Sequence, residues 1–218
     1  MRFLLKRAVL FFLFFFGLSV YGAPDSITID DFAKGVNSDW KEEKIEGRTK
    51  YCIVMDGEKK CLRAESDDSN SALYYNIEYN VKDYPFIEWQ WKIDHVLKKG
   101  NAKTKEGCDC PARIYIVFKS GFLWRSKTLG YFWASSIPKG EIIKHPYNKN
   151  GRMIAVESGD EKAGEWITEK RNLLEDFKLA FGEDPPDVRA IAIQTDTDNT
   201  NEKATAWYGK IRILSKQD

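Results

Sequence analysis

Residues 86–94 read Phe-Ile-Glu-Trp-Gln-Trp-Lys-Ile-Asp. Ile87, Trp89, Trp91 and Ile93 fall on one face and Glu88, Gln90, Lys92 and Asp94 on the other. This period of two is the pattern of a strand buried on one side. Trp89 and Trp91 therefore read as core. Further along, Arg113–Phe118 is apolar on both faces, as a strand at the centre of a sandwich should be. Strands are also predicted over residues 27–32, 51–55, 60–65, 72–79, 128–133, 153–157, 165–169, 188–195 and 205–214. A single stretch carries a helical period. Asn172 followed by Glu175 makes a capping box, Leu173, Leu174, Phe177 and Phe181 form one face, and Gly182 suits the C-terminal stop before Pro185-Pro186. Many short strands, one helix near 172–181 and no βαβ alternation predict an all-β fold, a two-sheet antiparallel, jelly-roll-like sandwich. Residues 101–107 read as a mobile loop.

The chain has 218 residues, enough for one domain with a proper core. Its first segment reads as a signal peptide rather than as part of that core. Arg2, Lys6 and Arg7 precede an uncharged apolar run over residues 8–21, which is short for a membrane span. Val20 and Gly22 suit the −3 and −1 positions of a cleavage site, so residues 1–22 are expected to be removed and 23–218 to form one domain. An uncleaved anchor is the alternative. The expected location is periplasmic or secreted. Without residues 1–22, 31 basic residues face 33 acidic ones, a net charge of −2. That balance lacks the basic footprint of a nucleic-acid partner, and nothing after residue 22 is long and apolar enough to suggest a membrane partner.

Four cysteines suit an oxidising compartment. Asp56-Gly57 between two apolar runs predicts a two-residue hairpin that sets Cys52 directly opposite Cys61, close enough for a disulfide. Cys108 and Cys110, one residue apart, supply only two of the four ligands a structural zinc needs. A local bridge is the expectation there.

No Gly-x-Ser-x-Gly elbow, P-loop, Gly-x-Gly-x-x-Gly or His-Glu-x-x-His occurs. The densest polar run is Gln194-Thr-Asp-Thr-Asp-Asn-Thr-Asn201. At a strand end Asp196 and Asp198 share a face, and two carboxylates so placed need a counter-charge. Calcium and a buried arginine are both open, as is a plain loop of self-bonding side chains. An EF-hand is excluded by Asn201 and Trp207 where glycine and glutamate belong. Arg113, close after Asp109, is either a ligand clamp or the structural counter-ion of Asp109, Asp196 or Asp198. Trp124, Tyr131, Trp133 and Trp207, near turns and strand ends, are candidate stacking surfaces for a sugar ring. The candidate ligand-binding set is thus Asp109, Arg113, Tyr131, Trp133, Asp196, Asp198, Asn199 and Trp207, with Asp196 and Asp198 as candidate calcium ligands.

These segments resemble a family of exported bacterial proteins known as domain of unknown function 3047. The resemblance runs from about residue 29 to 214. It rests on Ile87-Glu-Trp-Gln-Trp-Lys92, Ala112-Arg-Ile-Tyr-Ile-Val-Phe118, Met153-Ile-Ala-Val-Glu-Ser-Gly159, Trp166-Ile-Thr-Glu-Lys-Arg-Asn172, Asp176 with Phe181-Gly-Glu183, and Thr195-Asp-Thr-Asp-Asn-Thr200 leading to Tyr208-Gly-Lys-Ile211. Where the family usually carries two consecutive aspartates, this chain has Cys108-Asp109, which implies a rebuilt or weakened site. More distantly, Ile29-Asp-Asp-Phe32 with Trp40 and Tyr208-Gly-Lys-Ile-Arg-Ile213 look like the first and last strands of galactose-binding-like jelly rolls. Those include carbohydrate-binding modules with a structural calcium.

The primary expectation is a non-catalytic domain for a glycan or similar polar ligand. The alternatives are a sandwich glycosidase or lyase using carboxylates such as Glu157 or Glu169, and an envelope structural or assembly protein.

Overall fold

The computed structural model describes residues 24–121 and 125–215. The expected signal peptide and Trp124 lie outside the described residues. The strands are β1 (Ser26–Asp30), β2 (Trp40–Glu46), β3 (Lys50–Asp56), β4 (Lys59–Asp67), β5 (Asn70–Tyr79), β6 (Phe86–Ile93), β7 (Arg113–Phe118), β8 (Thr128–Ala134), β9 (Ile142–Lys144), β10 (Gly151–Ser158) and β11 (Ile167–Asn172). Helix α1 (Leu173–Phe181) follows, then β12 (Val188–Asp196) and β13 (Lys203–Leu214). Two sheets face each other. One runs β11-β6-β13-β4-β3, with β1 also paired to β13, and the other runs β2-β5-β12-β7-β8-β10-β9.

The alternating stretch sets the core. Trp89 and Trp91 of β6 meet Tyr131 and Trp133 of β8 across the sandwich, with ring centroids 5.2 Å apart for Trp89–Tyr131 and 5.9 Å for Trp91–Trp133. All four rings are fully buried. Helix α1 closes one end: Phe177 packs 4.5 Å from Phe118. The Asn172 side chain caps the helix by accepting from the Leu174 and Glu175 N–H groups, and Gly182 ends it in the left-handed region at φ 75°. Both ends match the sequence expectation.

The structure departs from expectation at several elements. β1 stops at Asp30, because its carboxylate takes the Phe32 and Asn37 N–H groups and the Trp40 indole, turning the chain away. β2 and β9 were not anticipated. β2 carries Lys41, Glu42, Glu43, Lys44 and Glu46, a composition that hides a strand but suits an exposed sheet edge. β9 has only three residues. One pair, β8 with β10, is parallel; every other pairing is antiparallel among the described residues. The 101–107 loop is tied down: the Asn101 N–H donates to Gly107 O at 2.7 Å, and Ala102 is buried.

The hairpin register also differs, and it removes the expected bridges. Asp56 pairs with Lys59, so Gly57 and Glu58 are the central turn residues. Gly57 has φ +62° at the first central position, where a type II′ turn takes glycine. Cys52 then faces Arg63 and Cys61 faces Val54. The two cysteines become diagonal neighbours, about 7–8 Å apart at Cα in such a ladder, which is beyond disulfide reach. Cys108 and Cys110 do not bridge either. All four cysteines are free thiols.

Candidate functional site

The outer face of the seven-stranded sheet carries the site. Alternation along β12 sends Ile191, Ile193 and Thr195 inward, and Ala192, Gln194 and Asp196 outward. Along β7, Ile114 and Ile116 point inward while Arg113, Tyr115 and Val117 point outward. A second, smaller core containing Phe132, Ile137, Ile143 and Met153 covers part of this face. Beside it lies a cleft of about 510 Å³. Its floor is β7 and β12. Its walls include Asn70 at the head of β5, Tyr147 and Asn148 on one side, and Ile45 and Glu46 on the other.

Set into the floor is an almost fully buried ion pair. One terminal nitrogen of Arg113 donates to both oxygens of Asp196 at 2.6 Å and to the Cys108 carbonyl at 2.6 Å. Its other terminal nitrogen donates to the Tyr115 hydroxyl at 2.9 Å. Both charged side chains are almost completely buried. Removing one partner of such a pair leaves a lone buried charge, which costs about 3–5 kcal/mol. Burial pushes the Asp196 carboxyl above its ordinary value; Arg113 opposes that shift, and Asp109 and Asp198 add to it. Arg113 thus supplies the counter-charge that Asp196 requires.

Tyr115 links this pair to His145, whose Nε2 lies 3.3 Å from the tyrosine oxygen. His145 Nδ1 accepts from the Tyr147 N–H at 3.2 Å, which places the ring proton on Nε2. Burial and the Arg113 charge lower the imidazole to about 4, so it is neutral at physiological pH. Burial raises the Tyr115 hydroxyl and keeps it protonated. The site is held from the far sheet as well. The Tyr208 hydroxyl of β13 crosses the core, donates to Gln194 O at 2.7 Å and accepts from the Arg113 N–H at 3.3 Å.

The polar run 194–201 divides between two roles. Gln194, Asp196, Asp198 and Asn199 line the cleft. Thr197 instead bonds Ser66 at 2.8 Å, and Asn201, at φ 55°, donates to Asp68 at 2.6 Å, so these residues build the turn. Asp109 lies behind the cleft lining. One of its oxygens accepts from the Asn199 and Thr200 N–H groups at 3.0 and 2.6 Å. Burial raises its carboxyl too, against the Thr200 donors and the Arg113 charge.

A family model described as "Protein of unknown function (DUF3047)" matches residues 38–212. The chain belongs to this family. In this DUF3047 protein the Ala112–Phe118 motif supplies the floor and its arginine, the Thr195–Thr200 motif supplies the carboxylates, and the Tyr208 motif supplies the cross-core tether. At the departure from the family pattern, Cys108 serves through its backbone carbonyl.

Comparison with curated proteins finds no match. Among solved structures the DUF3047 chain is similar to the module CBM27-1 of Caldicellulosiruptor saccharolyticus, solved with mannohexaose, at 15% identity, TM-score 0.47, 90% of this chain and 100% of that one. It is also similar to the CBM22-1 xylan-binding domain of Paenibacillus barcinonensis Xyn10C, at 10% identity, TM-score 0.43, covering 90% and 100%. The xyloglucanase domain of NopAA from Sinorhizobium fredii, in complex with cellobiose, matches at 10% identity, TM-score 0.46, covering 81% and 93%.

Three expected binding aromatics are elsewhere. Tyr131 and Trp133 are fully buried on the inner face of β8, where Tyr131 donates to Asp176 at 2.8 Å and Trp133 to Gly159 O at 3.0 Å. They are core, not stacking surfaces. Trp207 belongs to the six-stranded sheet, where the Lys92 ammonium sits 4.4 Å from its ring centre. The aromatics at the DUF3047 cleft are instead Tyr115, His145 and Tyr147. Tyr115 was legible by parity, two residues beyond Arg113. His145 and Tyr147 sit in a loop with no periodic pattern, and only the fold brings them to β7.

The alternative carboxylates do not line this cleft. Glu157 is buried and accepts from Lys139 at 2.7 Å and Lys162 at 2.9 Å. Although burial works to raise it, these two lysines hold its carboxyl below the ordinary value. Glu169 is buried with one oxygen unpartnered, and burial raises it to about 7.

Proposed function

We propose that this protein is an exported, non-catalytic binding domain, and that it holds a glycan or chemically similar polar ligand in the cleft outside the seven-stranded sheet. The carrying observation is the cleft's composition. Tyr147, 57% exposed, and Ile45, 58% exposed, offer apolar surface at its rims. Asn70, Gln194, Asp198 and Asn199 offer amide and carboxylate groups between them. A sugar ring needs both an aromatic face to stack on and fixed polar groups for its hydroxyls. A volume of about 510 Å³ falls within the small-ligand range of ~300–1,000 Å³. With Arg113 already committed to Asp196 and His145 neutral, the lining favours uncharged hydroxyl-rich ligands over anionic ones.

Screening folded protein against cell-wall and environmental polysaccharides, followed by calorimetry, tests this reading. Tyr147→Ala is expected to weaken binding about tenfold, the equivalent of ~1.4 kcal/mol, with an unchanged melting temperature. Trp207→Ala, on the other sheet, is expected to leave affinity unchanged. Full affinity in Tyr147→Ala rules out the cleft, and uniform failure to bind rules out the function.

A further inference from the structure

We propose that Asp109, Asp196 and Asp198 together hold a calcium ion beside the cleft. One carboxylate oxygen from each residue lies within 4.8 Å of the other two. Oxygens bound to one calcium at about 2.3–2.6 Å are at most ~5 Å apart, so a single ion can reach all three. Charge points the same way. Three buried or half-buried carboxylates face one guanidinium, which leaves two negative charges for a divalent ion to balance.

The decisive feature is Asp109. It is 1% exposed, and its Oδ1 has no hydrogen-bond partner, while Oδ2 takes two backbone N–H groups. A buried acceptor left without a donor costs free energy, and a cation relieves that cost. Asp196 and Asp198 already accept hydrogen bonds from Arg113, Cys110, Asn70 and Asn199, but carboxylate oxygens keep further lone pairs for a metal. The donors are all oxygen and come from a strand end and two loops. That set suits calcium, which tolerates irregular geometry, better than magnesium, which demands a near-ideal octahedron. The ion clamps the segment around Asp109 to the turn after β12. The proposal does not depend on what the cleft binds.

The test starts from protein stripped with EDTA and uses calcium chloride as the probe. A ligand that binds only the folded state stabilises it by mass action, so a hundredfold excess over Kd is expected to raise the melting temperature by roughly 5–10 °C. Calorimetry on the wild type is expected to give one ion per chain. Asp198→Asn keeps the shape of a half-buried side chain that contacts amides, and it should fold and lose most of the rise; Asp109→Asn should do the same. No rise and no heat in the wild type overturns the proposal, as does a rise that survives both substitutions. Glycan binding measured in EDTA separates failure here from failure of the ligand reading.

Discussion

Glu169 is buried on β11 with a lone oxygen and feels the repulsion of Glu157, while Lys139, Lys162 and Arg171 only partly offset that burial. Its folded pKa of about 7 lies above the unfolded value near 4.5, so the native state takes up the proton more readily. The stabilisation from that proton is complete below about pH 4.5 and is lost as the pH rises through 7. Glu169→Gln is therefore expected to stabilise the protein by on the order of 1–3 kcal/mol near pH 8 and by little near pH 4. Thermal melts at the two pH values check this, and an equal gain at both contradicts it. In the sequence Glu169 stood out only as one candidate carboxylate of a glycosidase or lyase, with nothing to mark its burial. By contrast, Arg113 was legible, because a charge opening an apolar strand demands a partner, and Asp196 is that partner. Tyr131 and Trp133 misled because strand-end position was weighed above parity. Along β8 they share the inward side with Leu129.

Turns and edges are where the sequence pattern gave least. The hairpin of β3 and β4 was legible as a hairpin, but its central pair moved by one residue, and that small change decides whether Cys52 meets Cys61. Gly57 carries the conformational demand. A Cβ there meets nothing within 4 Å, so Gly57→Ala pays only for the left-handed backbone. The expected loss is roughly 1–2 kcal/mol, read as a lower denaturant midpoint at constant slope. A neutral substitution would contradict the turn geometry. β2 and the parallel β8–β10 pair were hidden for a different reason. Charge-rich edges lack alternation, and strand direction depends on how the chain crosses over, which no local pattern records.

At the scale of the molecule, the sandwich and its core residues Trp89 and Trp91 followed from alternation, and helix α1 from its cap and helical period, whereas the cleft required loops far apart in sequence to meet on one face. Free cysteines are a property of the whole chain. Alkylation of denatured, unreduced protein is expected to tag all four thiols. Two fewer tags would reveal an oxidised pair, and a pair mapped to Cys52 and Cys61 would contradict the hairpin register. Finally, β7 and β12 each serve two sides of their sheet, with Ile114, Ile116, Ile191 and Ile193 inward and Tyr115, Val117, Ala192 and Gln194 outward. Selection can therefore act on alternate residues almost independently. One set can vary between lineages and retune recognition, while its neighbours, a single peptide bond away, stay fixed to preserve the architecture.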